Sequence, residues 1–144
     1  MIILDTNVVS EGFRPRPSEA VRRWLDEQRS ADLWLCAPVL AELRFGVELL
    51  PPGQRRADLD RAITTAERDL FGGRVLSFDR DCAHQFGRIV AARRALGRPI
   101  AAMDAAIAAI ALTHRMAVAT RDVADFCDLG LELIDPFETH ASAS

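Results

Sequence analysis

Ile2-Ile3-Leu4-Asp5-Thr6-Asn7-Val8-Val9-Ser10-Glu11 stands at the start of the chain, and its first four residues decide the fold class. Three apolar residues form a run too short for a helix and of the kind that builds a buried strand. An acid follows directly. In an open α/β sheet the carboxyl ends of the strands are where ligand sites are built, so Asp5 is placed at a functional edge. Similar short apolar runs recur at residues 33–36, 75–78, 116–120 and 131–134. Between them the apolar spacing changes to the helical period. Ser18 is placed to N-cap a helix carrying Val21, Trp24 and Leu25 on one face. Pro38 opens another, with Leu40, Leu43, Val47 and Leu50 in register until Pro51-Pro52-Gly53 stops it. Further helices are predicted over residues 55–70 and 82–96. Strands alternating with helices predict an α/β fold, a parallel sheet covered on both faces.

The chain has 144 residues, 49% of them hydrophobic and 27% charged. That is one ordinary globular domain with enough apolar mass for a core, over residues 1–137, with residues 138–144 as a frayed tail. Eighteen basic residues against 21 acidic give a formal net charge of -3, which excludes tight, non-specific polyanion binding by a broad basic surface. Every basic residue is Arg; without Lys there is no Schiff base, P-loop lysine or lysine phosphate ligand. Cys36, Cys82 and Cys127 are odd in number and far apart, which argues against a disulfide framework or a zinc knuckle and for a reducing cytosol. The longest apolar stretch, residues 100–112, is short for a membrane span and contains Asp104. A soluble, uncleaved, cytoplasmic protein is expected.

Four acids stand out. Asp5 is read as a site carboxylate, or as an N-cap of the segment after it, with Thr6 and Asn7 able to orient it. Glu42 falls about 110 degrees from the centre of its helix's apolar arc, at the edge of the core; the competing reading is a first-turn acid favoured by the helix dipole. Asp104 has Ile107, Ala108 and Ala111 at i+3, i+4 and i+7, so a carboxylate shares a face with apolar residues. It needs a cation, an Arg or N–H donors there, unless it caps a helix beginning at Ala105. Asp122 follows the 116–120 strand, with Asp125 three residues on, and either is also placed to cap a short turn. Close carboxylate pairs repel by about 4 kcal/mol at an effective dielectric near 20, so convergence of these acids demands a counter-cation. Oxygen ligands without His or Cys favour Mg²⁺ or Mn²⁺ over zinc. His84, His114 and His140 have no metal spacing, and no nucleophile elbow, P-loop or dinucleotide fingerprint occurs.

These residues resemble the PIN-domain ribonucleases of the VapC/FitB toxin type, from prokaryotic type II toxin–antitoxin pairs. The opening block matches the family's strand-D-T-N-x-x-S-E start. Ala41-Glu42-Leu43-Arg44-Phe45-Gly46 resembles its A-E-L-R-x-G helix, residues 98–109 its third acidic block, and Ala119-Thr120-Arg121-Asp122 its T-R-[DN] block. The resemblance implies a three-layer α/β/α fold with a five-stranded parallel sheet in the order 3-2-1-4-5. It implies an acidic, metal-holding catalytic cluster of Asp5, Glu42, Asp104 and Asp122, in which Asp5 and Asp104 are the main direct ligands. Thr6, Asn7, Thr120 and Asp125 would support it, and Asp125 competes with Asp122 as the fourth acid. Also implied are Mg²⁺- or Mn²⁺-dependent hydrolysis of RNA, a homodimer, and a small VapB/FitA-like cognate antitoxin whose C-terminal segment covers the pocket. RNA would then be held by arginines, of which Arg44 and Arg121 are nearest in sequence to the acids.

Rival readings are weaker. A haloacid-dehalogenase-like phosphatase needs a second Asp where Asn7 stands, and usually a Lys; a receiver domain needs an acidic pair after the first strand and a Lys. A PIN-like module that binds RNA or a partner without cutting is the non-enzymatic alternative, and the four intact acids count against it.

Overall fold

The computed structural model describes residues 1–138. Its strands β1 (Ile2–Leu4), β2 (Leu33–Cys36), β3 (Val75–Leu76), β4 (Ala117–Ala119) and β5 (Leu133–Ile134) form one sheet in the order β3-β2-β1-β4-β5. All pairings are parallel, with Ile3 in register with both Trp34 and Val118. The chain steps outward from β1 through β2 to β3, then crosses back to place β4 on the other side of β1. Right-handed crossovers in the two directions put their helices on opposite faces, which produces the three layers and leaves a crevice where the order reverses, between β1 and β4.

The helices are α1 (Thr6–Glu11), α2 (Glu19–Glu27), α3 (Ala37–Leu49), α4 (Gln54–Thr65), α5 (Arg80–Ala95), α6 (Ala102–His114) and α7 (Val123–Phe126). Ser18 caps α2 through the N–H of Val21, as its position predicts, and α3 ends at Leu49, just before the Pro51-Pro52-Gly53 stop. The helix expected over 55–70 is α4 followed by a wider turn, Ala66–Leu70, closed by a bond from Phe71 N–H to the Ala66 carbonyl. β1 and β2 coincide with their apolar runs, whereas β3, β4 and β5 are shorter than theirs. β3 stops at Leu76 because its partner β2 stops at Cys36, in register with it, and β5 begins only where Leu133 meets Val118.

Apolar burial explains the arrangement. Ile3, Leu35 and Val118 from the sheet and Val8, Val39, Ile107 and Ile110 from the helices are closed off from water. The Ile107–Ala111 run of α6 is buried on every side, so this helix runs through the interior, and its alanines let α5 pack along it. Among the described residues no helix is long and apolar enough to cross a membrane. The expected tail, residues 138–144, lies outside the described residues beyond Glu138.

Candidate active site

β1 delivers Asp5 to the switch point. Its main-chain N–H donates to the Ala119 carbonyl of β4 at 2.9 Å, so the residue is locked between the two central strands. One carboxylate oxygen accepts from Thr6 N–H at 2.8 Å, and the other from the Thr120 hydroxyl at 2.8 Å and the Asn7 amide at 3.3 Å. Asp5 is therefore both the N-cap of α1 and a member of the acid cluster; its two readings are the same geometry. Only 4% of it is exposed. Burial pushes its carboxyl above the usual range, the Thr120 and Thr6 hydrogen bonds oppose this, and the charges of Glu42 and Asp122 add to it.

Glu42 comes from α3. It lies in the second turn, not the first, so the dipole reading loses its basis. Its Oε1 accepts from the Thr6 hydroxyl at 3.0 Å, which ties α3 to the start of α1. Asp104 is the third residue of α6. The alternative that it caps a helix starting at Ala105 is excluded, because α6 begins at Ala102 with Ala101 in the cap position. Burial pushes its carboxyl up to about 6, and the charges of Asp5, Asp125, Glu42 and Asp122 push in the same direction.

β4 supplies the remaining side. Thr120 is fully buried, donates to Asp5, and accepts the Asp122 N–H at 2.9 Å. Asp122 opens α7 without capping it by its side chain, because its Oδ2 accepts the Asn7 amide at 3.0 Å. Asn7 thus places one amide between two carboxylates, while its Oδ1 accepts the Arg121 N–H at 3.1 Å. Asp125 stands in α7, close enough to bear on Asp104.

The two arginines behave differently from the acids. Arg44 is two positions from Glu42, and a helix turns about 200 degrees over two residues. Its guanidinium accordingly faces α4, where it meets Asp60 at 2.5 Å, Thr64 at 3.0 Å and Glu67 at 3.9 Å. Arg121 stacks over Phe137, 3.7 Å from the ring centroid. Neither neutralises the pocket. Among the described residues Asp5, Glu42, Asp104, Asp122 and Asp125 form no ion pair with any arginine.

The donor set suits a hard divalent cation: carboxylate oxygens backed by a hydroxyl and an amide, with the Asp5 and Asp104 carboxyls pushed up and no arginine as counter-charge. Among the described residues no three His, Cys, Asp or Glu side chains are drawn into closed coordination geometry.

Two buried charged residues have a structural role that the sequence reading does not assign. Arg93 is 4% exposed and donates to the carbonyls of Arg98, Asp125 and Cys127. Its signal was present, since it lies at i+4 from Ile89 on the buried face of α5. Glu11 is buried at the end of α1 and accepts Ser18 N–H at 2.8 Å, which fixes the loop into α2. Beside Glu42 opens a cavity of about 1120 Å³ whose apolar walls include Phe13, Leu43, Leu50, Leu59 and Ile63.

Comparison with known proteins agrees with this fold. The PIN domain family model matches residues 2–130. The chain is 40% identical over 138 residues to VapC ribonuclease Y4jK of Sinorhizobium fredii, covering 96% of this chain and 99% of that protein. It is 41% identical over 137 residues to toxin FitB of Neisseria gonorrhoeae, covering 95% and 99%. Among solved structures, FitAcB from Neisseria gonorrhoeae superposes with a TM-score of 0.90 at 40% identity, over 96% of this chain and 100% of that one. An α/β sheet whose switch point gathers four acids from β1, α3, α6 and the end of β4, matched over nearly its whole length by such relatives, makes this chain a member of the PIN-domain family, of the VapC/FitB toxin type.

Proposed function

We propose that the pocket is the active site of a Mg²⁺- or Mn²⁺-dependent endoribonuclease, and that the chain is the toxin of a type II toxin–antitoxin pair. The observation that carries this is a cluster of carboxylates at the switch point that no arginine neutralises. Asp5 and Asp104 would hold the cation directly, with Glu42 and Asp122 as the further ligands and Asp125 behind them. When bound, a divalent cation supplies Lewis-acid polarisation of the phosphate and lowers the pKa of an attacking water.

The protein's own residues prepare that chemistry. Thr6 and Thr120 each use a donor on one Asp5 oxygen, so the carboxylate cannot rotate. Asn7 holds Asp122 and Asp5 at a fixed separation. The Thr6 hydroxyl keeps Glu42 turned toward the same pocket. Arg121, beside Asp122 and exposed, is the arginine best placed to meet an RNA phosphate; Arg44, already paired on α4, would have to exchange partners.

Partners follow from the same surfaces. Glu42 lines the apolar cavity as well as the acid cluster, so an antitoxin segment lying in that cavity could reach the carboxylates with a cationic side chain. A homodimer belongs to this reading, with Phe45 and Leu49, one turn apart and 63% and 67% exposed on α3, as apolar surface for a second copy to cover. Three free cysteines fit a cytosolic location. The test is a panel of tRNAs, rRNA fragments and mRNA incubated with Mg²⁺ or Mn²⁺ and with EDTA. Cleavage that EDTA abolishes and excess divalent cation restores supports the reading; RNA binding without cleavage would favour a binding module, and EDTA-resistant cleavage would overturn the metal dependence.

A further inference from the structure

Arg93 carries a buried charge that the proposed hydrolysis does not use. Among the described residues it pairs with no carboxylate. A cation taken out of water persists only if its donors are satisfied, and here main-chain carbonyls do this. The Nε–H donates to Arg98 O at 2.8 Å, and Nη1–H to Asp125 O at 2.8 Å and Cys127 O at 3.3 Å. Two of these acceptors lie at the C-terminal end of α7, a four-residue helix whose last carbonyls have no partner inside it. The third lies in the connection from α5 to α6, the helix that carries Asp104.

One guanidinium therefore ties together the end of α5, the approach to α6 and the far end of α7. On its near side α7 is held through Asp122 by Asn7 and Thr120. On its far side the anchors are Arg93 from within and Arg98 from the surface, where Arg98 meets Asp128 at 2.6 Å and the Cys127 sulfur at 2.8 Å. Exposed pairs of the latter kind are screened by solvent and hold little. α7 also packs against α6, which brings Asp125 to bear on Asp104.

We propose that Arg93 is a positioning residue for the acidic site: by gripping the main chain of Asp125 and Cys127 it fixes the α7 turn, and with it the Asp125 carboxylate, against Asp104. This rests on reading the pocket as a metal-dependent nuclease site. Lysine keeps the charge but lacks the planar fork that spans separate carbonyls, so Arg93→Lys is the informative variant.

The experiment compares wild type, Arg93→Lys and Arg98→Ala by amide hydrogen exchange without metal, by Mn²⁺ binding followed by electron paramagnetic resonance, and by RNA cleavage kinetics. Arg93→Lys is expected to stay folded and to exchange the amides of residues 123–127 about tenfold faster. Its Mn²⁺ affinity and kcat should each fall about tenfold, with KM for RNA unchanged, in the range seen when a residue behind a metal ligand is removed. Arg98→Ala should change none of these. In an Asp125→Asn background, Arg93→Lys should produce no further loss of Mn²⁺ affinity. Wild-type exchange and affinity in Arg93→Lys, or an equal loss in both backgrounds, would overturn the proposal. Arg93→Gln serves as a second variant; failure of both to fold would confine Arg93 to folding and overturn it equally. A wild type that neither binds Mn²⁺ nor cleaves RNA would remove the nuclease reading, while the exchange measurement would still decide whether Arg93 fixes α7.

Discussion

Replacing Asp104 by Asn removes one charge from the cluster and almost no volume, and in the absence of metal it should stabilise the protein. The folded carboxyl titrates at about 6 and the unfolded one near 3.8, because burial, and after it the charges of Asp5, Asp125, Glu42 and Asp122, disfavour ionisation. Between those values the folded state holds more protons than the unfolded state, so stability falls as pH rises through the window and stays reduced above it. The full interval converts to a ceiling of about 3 kcal/mol. Asp104 is only partly buried, and solvent screening brings the figure down to about 1–2 kcal/mol. Asn escapes that penalty. In EDTA at about pH 7.5 the variant should therefore exceed wild type by about 1–2 kcal/mol, or about 3–6 °C in Tm, and the gap should shrink toward pH 4. Urea unfolding followed by the fluorescence of Trp24 and Trp34 measures it. Excess Mn²⁺ should reverse the order, since binding at about a hundred times Kd adds about 2.7 kcal/mol to wild type. A variant less stable than wild type in EDTA at neutral pH, or a gap that does not change with pH, would refute the electrostatic argument.

Thr120→Val keeps the shape of a fully buried side chain but takes the shorter of two donors from an Asp5 oxygen, leaving it the Asn7 amide alone, and leaves the Asp122 N–H without its acceptor, so it should cost about 1–3 kcal/mol in urea unfolding and lower cleavage as well. Asn7→Ala removes the amide between Asp5 and Asp122; stability should change by less than about 1 kcal/mol while Mn²⁺ affinity, read by calorimetry, falls about 10- to 100-fold.

Much of the site could be read from one dimension because it sits where local patterns end. The run Ile2-Ile3-Leu4 announces a strand, and Asp5 its functional edge. Asp104 is conspicuous because a charge interrupts the apolar spacing of Ile107, Ala108 and Ala111. Less visible was where α6 begins, since Ala101 caps it with no side-chain hydrogen bond and leaves no signature. α1 went unread for a related reason. It is six residues long and contains Val8 and Val9, which disfavour isolated helix, and it is held by their burial and by the Asp5 cap.

Long-range partners were the harder part. Arg44 is near Glu42 along the chain, yet helical geometry turns it to Asp60. Arg93 stands on a legible apolar stripe, but two of its three acceptors are carbonyls 32 and 34 residues further on, and main-chain acceptors leave no trace in residue identity. Arg121 meets Phe137 only because β5 returns the chain to the end of β4.

The proposed function requires that carboxylates of this pocket hold the cation that drives RNA cleavage. It is tested most directly by the cleavage rate of Asp104→Asn against wild type at saturating Mn²⁺, on one RNA that wild type cuts, with folding verified by unfolding curves. A stably folded variant whose cleavage is abolished is the expected result. A folded Asp104→Asn protein that cuts the same RNA at the wild-type rate would contradict it.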